Sequence, residues 1–211
     1  MITISAFRSV PPFARGLVRD LRVRWALEEA GGSYSTRLLE PGEKDSDAYR
    51  ALQPFGQVPI FEEDGLVLFE SGAIVLHIGE RSEVLLPEDP AARARATQWV
   101  MAALNSIEPY IMEVVGTEVF HADQEWARQR RQGATDFAVH RLGCLAKALG
   151  DKPYLDGEQF TAGDLIMTTV LRVHPGLVID AQLKAYVERC TSRPAFQRAL
   201  DAQMGDFRDA A

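Results

Sequence analysis

Gln57-Val58-Pro59-Ile60-Phe61, followed shortly by Glu70-Ser71-Gly72, decides how this chain is built. Pro59 sits inside an apolar run that otherwise reads as a strand. Proline has no N–H and cannot serve an interior sheet ladder, so it belongs at a strand's first residue, an edge or a bulge. Placed there, it leaves the backbone of Val58 free to bond something other than the sheet. Glu70-Ser71 then opens a helix, and a helix N-terminus presents unpaired N–H groups and a partial positive charge that suit a carboxylate. Two backbone docking points close together in sequence are the pattern of a peptide-binding site.

Working outward, Pro59–Glu62 and Leu66–Phe69 read as short strands joined by Glu63-Asp64-Gly65, whose Asp-Gly is a hairpin turn signal. Upstream, Ile2–Phe7 and Tyr34–Leu39 have strand character, and Arg8–Phe13, with Pro11 and Pro12, is a loop. Between the strands, Leu17–Ala30 carries a broad apolar stripe that Gly31-Gly32 stops, so a helix is predicted there. A short helix is expected over Ser46–Leu52 and a longer one over Ser71–Arg81. The order is βαβ, then α, then ββα, and the first crossover is long enough for a right-handed parallel unit. Beyond a charged, proline-bearing segment the pattern turns helical, over 91–115, 123–149, 162–173, 180–190 and 194–203. The expected organisation is an α/β domain over 1–82, a linker over 83–90 and an all-helical domain over 91–211.

The chain has 211 residues, 46% hydrophobic and 25% charged, ordinary values for a globular protein. A net charge of −7 and the absence of a basic stripe speak against nucleic acid as a partner. Cys144 and Cys190 form no CxxC pair and no metal spacing with the four histidines, so both are expected as buried packing residues and no metal is expected. The N-terminus lacks a charged leader with a long apolar core, and no apolar run reaches the roughly 18 residues of a membrane span. A cytoplasmic protein without a membrane partner is the expectation.

Several separate motifs, in order and at the expected distances, resemble the cytosolic glutathione S-transferases of bacterial type. Gln57-Val58-Pro59 looks like that family's cis-proline motif and Glu70-Ser71 like its γ-glutamyl-binding pair. Ala26-Leu27-Glu28-Glu29-Ala30-Gly31 is similar to the end of its first helix, Thr161-Ala162-Gly163-Asp164 to its internal capping box, and Arg193-Pro194-Ala195-Phe196 to the motif before its last helix. The resemblance implies a thioredoxin-like N-terminal domain followed by the family's all-helical C-terminal domain, with glutathione as co-substrate. The cysteinyl amide and carbonyl of the tripeptide would pair with the Val58 backbone as an added strand, with Pro59 cis. Ser71 would hold the γ-glutamyl carboxylate through its hydroxyl and backbone N–H, Glu70 would pair with the ammonium, and Gln57 would lie near the glycine end. Alone, Ser71 would be an ordinary cap and Glu70 a first-turn charge. Thr161 and Asp164 are assigned to stability, as reciprocal caps of orphan helix donors.

The chemistry needs a thiolate, and a free thiol ionises only at about pH 8.5. In the family a Tyr, Ser or Cys near the start of the first helix donates a hydrogen bond to it. Here that place holds Leu17, Val18 and Arg19, and Phe7 stands where other classes carry the tyrosine. Three substitutes are available: Arg19, where the bacterial beta-class cysteine would sit, Arg15 in the proline-rich loop, and Ser9. The loop Arg8–Gly16 is longer than the family's and suits a lid or partner contact over the sulfur. Trp99, Met101, Leu104, Tyr110 and Met112 are candidate linings for a small hydrophobic electrophile, with His121 and Trp126 further candidates. The implied activity is conjugation of glutathione to that electrophile, by a homodimer. A glutathione-dependent isomerase, dehalogenase or peroxidase, and a non-catalytic or regulatory glutathione-binding protein, stand as alternatives.

Overall fold

The computed structural model describes residues 1–208, so the last three positions of the expected helical domain, 209–211, lie outside the described residues. Along the chain run β1 (Ile2–Phe7), α1 (Asp20–Ala30), β2 (Tyr34–Leu39), α2 (Asp47–Arg50), β3 (Ile60–Glu63), β4 (Leu66–Phe69) and α3 (Ser71–Gly79). Then follow α4 (Pro90–Ala102), α5 (Glu108–Val115), α6 (Glu125–Leu149), α7 (Ala162–Leu171), α8 (Ala181–Thr191) and α9 (Pro194–Arg208). Contacts gather these into two units, Met1–Leu86 together with the chain from Ser192 onward, and Pro87–Thr191.

The first unit is built on a mixed sheet of order β2-β1-β3-β4. β1 and β2 are parallel, from Ile2 opposite Tyr34 to Phe7 opposite Leu39, and β3 runs antiparallel to both β1 and β4. The Asp-Gly turn closes the β3–β4 hairpin, with Asp64 at φ 48° and Gly65 at φ 87°, the two positive φ angles a tight hairpin turn requires. Strand period places Ser5 on the opposite face of β1 from Ile4 and Ala6, and all three are buried, so the sheet is covered on both sides.

Regular α1 begins at Asp20, three residues later than the apolar stripe suggests. Gly16 takes φ 74°, and residues 17–22 close in short turns, Leu21 N–H to Val18 O at 3.0 Å and Arg22 N–H to Arg19 O at 3.1 Å. Every residue from Asp20 to Leu27 is buried, Arg22 and Arg24 included, because α1 packs against both α3 and α9. Arg193 forms a fork on Glu29 at 2.6 and 2.8 Å, Arg198 reaches Glu28 at 2.7 Å, and Phe196 meets Trp25 edge-on at 4.8 Å. The motif before the last helix is therefore a tie between α9 and the end of α1. Leu85 and Leu86, in the segment expected as linker, are buried as well, and a Cβ on Gly79 would come within 2.7 Å of Leu86, so this stretch lies folded against α3.

The second unit is helical. All ten residues of α7 are buried, which its apolar sequence requires, and α4 approaches it so closely that a Cβ on Gly163 would meet Trp99 Cβ at 2.5 Å. One π-helical turn, Ala103–Ile107, interrupts the expected continuous helix over 91–115, and a second, Gly116–Phe120, carries the helical path past its expected end. The first stands just before Pro109, whose missing N–H breaks the regular ladder. Cys190 is buried but Cys144 is exposed, contrary to the expectation that both pack inside. The buried stripe of α6 runs through Leu142, Leu145, Ala146 and Leu149, and at 100° per residue position 144 falls on the other side of the helix. No helix among the described residues is long and apolar enough to cross a membrane.

Candidate functional site

Val58 and Pro59 are buried, and the bond between them is cis. Pro59 directly precedes β3, so the ladder loses nothing by its missing N–H. Among the described residues the Val58 amide and carbonyl have no hydrogen-bond partner. The Val58 side chain instead packs into a cluster with Leu39, Tyr49 and Ile60, flanked by Phe7, Val18 and Leu52. A polar backbone edge is left over an apolar anchor, the arrangement that accepts an added strand.

At the start of α3, Glu70 holds φ 71° and ψ 110°. A side-chain-bearing residue there carries roughly 1–3 kcal/mol of strain, and such residues cluster at ligand clamps. Glu70 is exposed and Ser71 buried. Arg22, 3% exposed on α1, donates from Nη1 to Ser71 Oγ at 3.1 Å. Because the Ser71 oxygen accepts from a guanidinium, its own proton is free for an anionic acceptor. A buried positive charge thus stands directly behind the hydroxyl assigned to the γ-glutamyl carboxylate. No local motif in the sequence singles out Arg22. Its partner is 49 positions away and meets it only because α1 packs on α3. Gln57 is exposed, with its backbone carbonyl bonded to Tyr49 Oη at 2.7 Å.

The three candidate activators fall at different places. Arg19 is the half-buried residue that leads into α1. Arg15 and Ser9 are exposed in the preceding loop, where Pro12–Ala14 forms one short 3₁₀ turn. Ser9 lines a cavity of about 280 Å³ with Phe7, Val10, Leu39, Pro41 and Lys44. Phe7 and Leu39 also belong to the cluster around Val58, so this cavity and the Val58 anchor share walls. Leu17 and Val18 bring no polar side chain to the start of α1.

The start of α1 is held by a buried charge network. Asp20 accepts from Arg24 Nε at 2.8 Å and from Gln203 Nε2 at 2.8 Å, and the same Gln203 amide donates to Val18 O at 3.1 Å. Arg24 also pairs with Asp206 on α9. Burial pushes the Asp20 carboxyl above the ordinary carboxylate value, against the pull of Arg24 and Gln203. The turn over 17–20 is thus fixed by α9.

In the second unit, Trp99, Leu104, Tyr110 and Met112 are half-buried and Met101 is exposed. Tyr110 is engaged by Arg141, whose guanidinium lies 5.0 Å from its ring, while His121 and Trp126 stack obliquely at 5.2 Å on an exposed surface. Among the described residues no three His, Cys, Asp or Glu side chains gather into a metal-binding group.

Comparison with known proteins matches residues 14–80 to the glutathione S-transferase N-terminal domain and residues 136–194 to the glutathione S-transferase C-terminal domain. Glutathione S-transferase F14 of Arabidopsis thaliana is 28% identical over 164 residues, 71% of this chain and 65% of that protein. Disulfide-bond oxidoreductase YfcG of Escherichia coli (strain K12) is 31% identical over 199 residues, 86% of this chain and 90% of the relative. The theta class glutathione S-transferase of Xanthomonas axonopodis pv. citri, solved with glutathione bound, superposes with a TM-score of 0.78 at 28% identity, over 94% of this chain and 96% of that one. Both halves match in order along one chain that also aligns with nearly the whole of a relative above 30% identity, and so the chain belongs to the glutathione S-transferase family.

Proposed function

We propose that this protein binds glutathione in its first unit and adds the thiolate to a small hydrophobic electrophile. The observation that carries this reading is the buried Arg22–Ser71 contact beside the strained Glu70. It supplies a hydroxyl proton, a positive charge and a helix N-terminus for one carboxylate, and Glu70 for the ammonium next to it. The cysteinyl part of the tripeptide pairs with Val58, and the cavity walled by Phe7, Val10 and Pro41 offers apolar surface for the electrophile. Arg19 at the start of α1 stabilises the thiolate by charge, in place of the missing hydroxyl donor. The carbon–sulfur bond forms from the thiolate as a halide or other leaving group departs with its pair, or by attack on the β-carbon of an enone, whose C=C π pair moves to the carbonyl oxygen as an enolate that then takes a proton from water. A two-fold homodimer is part of the proposal, and the exposed Phe69 on edge strand β4, with Phe55 of the loop before β3 packed against it, suits a buried contact.

A second reading is suggested by the relative described as a disulfide-bond oxidoreductase: glutathione-dependent reduction of disulfides on the same clamp. The lack of Tyr, Ser or Cys at 17–19 favours instead a non-catalytic glutathione-binding protein. A panel of aryl halides, enones, hydroperoxides and disulfides separates these readings. Transfer to a halide or enone is expected. Arg19→Ala is expected to lower kcat/KM by about tenfold, the equivalent of one pKa unit of bound thiol. It also moves the acidic limb of the pH profile upward, because removing a cation raises the thiol pKa. Turnover of disulfides alone would select the second reading, and no turnover of any substrate would leave a binding protein. Unchanged activity in Arg19→Ala would remove Arg19 from the mechanism.

A further inference from the structure

Ser5 and Tyr49 do something that sheet formation does not require. The β1–β3 ladder pairs Thr3 with Glu62 and Ile4 with Phe61. Continuing that register brings Ser5 opposite Ile60, and there the Ile60 N–H donates to the Ser5 side-chain oxygen, at 2.7 Å. Ser5 Oγ lies 3.0 Å from Tyr49 Oη, and Tyr49 Oη lies 2.7 Å from the Gln57 carbonyl. Ser5 is 4% and Tyr49 1% exposed.

The direction of these bonds is forced. A carbonyl only accepts, so the Tyr49 proton points at Gln57 O, and the Ser5 proton must then point at Tyr49 Oη. The Ser5 lone pair is left to accept from Ile60. Burial raises the Tyr49 phenol above its ordinary value, which keeps the donor protonated. Each hydroxyl both gives and receives, and each bond polarises the next. The two ends of the chain, Gln57 O and Ile60 N, bracket Val58 and Pro59.

We propose that Ser5 and Tyr49 are positioning residues for glutathione, a one-way hydroxyl relay that fixes the backbone of residues 57–60 so that the Val58 amide and carbonyl meet the cysteinyl backbone of the tripeptide. The inference rests on the glutathione-binding reading above and adds residues that never touch the ligand. Tyr49 is suited to the role because Ser46 caps its short helix, accepting from the Tyr49 N–H at 3.2 Å, and Leu39, Val58 and Ile60 pack with its ring. Its hydroxyl is aimed by packing rather than by the ligand.

Glutathione titration calorimetry on the full chain, at a temperature well below every melting point, tests this with Tyr49→Phe, Ser5→Ala and the double variant. Each single variant is expected to raise the Kd about tenfold, the fold-change equivalent to one buried hydrogen bond. The double variant is expected to bind about as weakly as either single one, since both changes cut one chain. A residue with a structural role alone would lower the melting temperature and leave the Kd of the folded protein where it was. Singles within twofold of wild type would overturn the relay, and so would single effects that multiply in the double variant. If Tyr49→Phe does not fold, Ser5→Ala decides alone, because it removes one oxygen and adds nothing. Failure of the wild type itself to bind glutathione is a different outcome, and it would overturn the glutathione-binding reading.

Discussion

Asp164→Ala is expected to destabilise the fold by about 4 kcal/mol or more, from several buried donors that each cost roughly 1–3 kcal/mol when left unpaired. Asp164 is fully buried at the third position of α7. Its Oδ2 accepts from the Thr161 N–H at 2.9 Å and from the Thr161 hydroxyl at 3.1 Å. Its Oδ1 accepts from the Leu155 N–H at 2.9 Å and from the Tyr186 hydroxyl at 3.0 Å. One carboxylate thereby ties the loop before α7, the first turn of α7 and the side of α8 together. No solvent reaches the site to replace it. Differential scanning calorimetry should show the melting temperature falling by about 10 °C or more, at some 2–4 °C per kcal/mol for a protein of this size. Asp164→Asn keeps one oxygen and should lose about half as much. A loss below 1 kcal/mol in Asp164→Ala would show that the capping network is not what holds α7.

The second large effect is expected at Arg24. Arg24→Met keeps most of the side-chain volume but leaves Asp20, 1% exposed, with the neutral Gln203 amide and no Arg24 cation, and takes the Arg24 cation from Asp206. Removing one partner of a buried pair costs about 3–5 kcal/mol. The loss should depend on pH with a definite sign. Burial already holds the Asp20 carboxyl above the ordinary 3.8, and without Arg24 it rises further. A carboxyl whose folded value is raised favours the fold while protonated, and that contribution is lost as pH climbs through the raised value. Arg24→Met should therefore be least damaging in mildly acidic buffer and most damaging at neutral pH and above. Urea unfolding at several pH values reads this directly, and a penalty that grew toward acid would contradict the pairing.

Both effects arise from charged groups inside the protein, and the sequence shows them unequally. The capping box was legible because its partners stand three residues apart and obey a local rule. So were the Asp-Gly hairpin, the strand after Pro59 and the close of α1 at Gly31. The roles of Arg22 and Arg24 were not, since nothing local marks an arginine in an apolar stripe as buried. Their burial follows from α1 being covered by both α3 and α9, contacts that join residues far apart in the chain. The Ser5–Tyr49–Gln57 connection is hidden for the same reason: Ser5 looks like an ordinary polar position in a strand until Tyr49 is brought against it. Cys144 is exposed against its residue type's usual burial because its position falls off the buried stripe of α6. The π-helical turns at 103–107 and 116–120 leave the local pattern helical and change only which carbonyl each amide meets.

The candidate site follows the same division. The strand start after Pro59 and the helix start at Glu70-Ser71 were legible because both are local features. The cation behind Ser71 and the relay beneath Val58 needed the packed sheet and helices. Of the three candidate activators, Arg19 stands at the start of α1, whereas Arg15 and Ser9 lie in the loop before it.

In the proposed function Ser71 and Glu70 hold the γ-glutamyl end of glutathione while Val58 holds its middle. Calorimetric titration of glutathione into wild type, Glu70→Ala and Ser71→Ala tests it most directly. Saturable one-site binding by the wild type is predicted, weakened at least about tenfold in each variant for the loss of a charge-assisted contact. The melting temperature should stay close to wild type in Glu70→Ala and fall by a few degrees in Ser71→Ala, which removes the buried acceptor of Arg22 Nη1. Undiminished binding in both variants, or none in the wild type, would contradict the account.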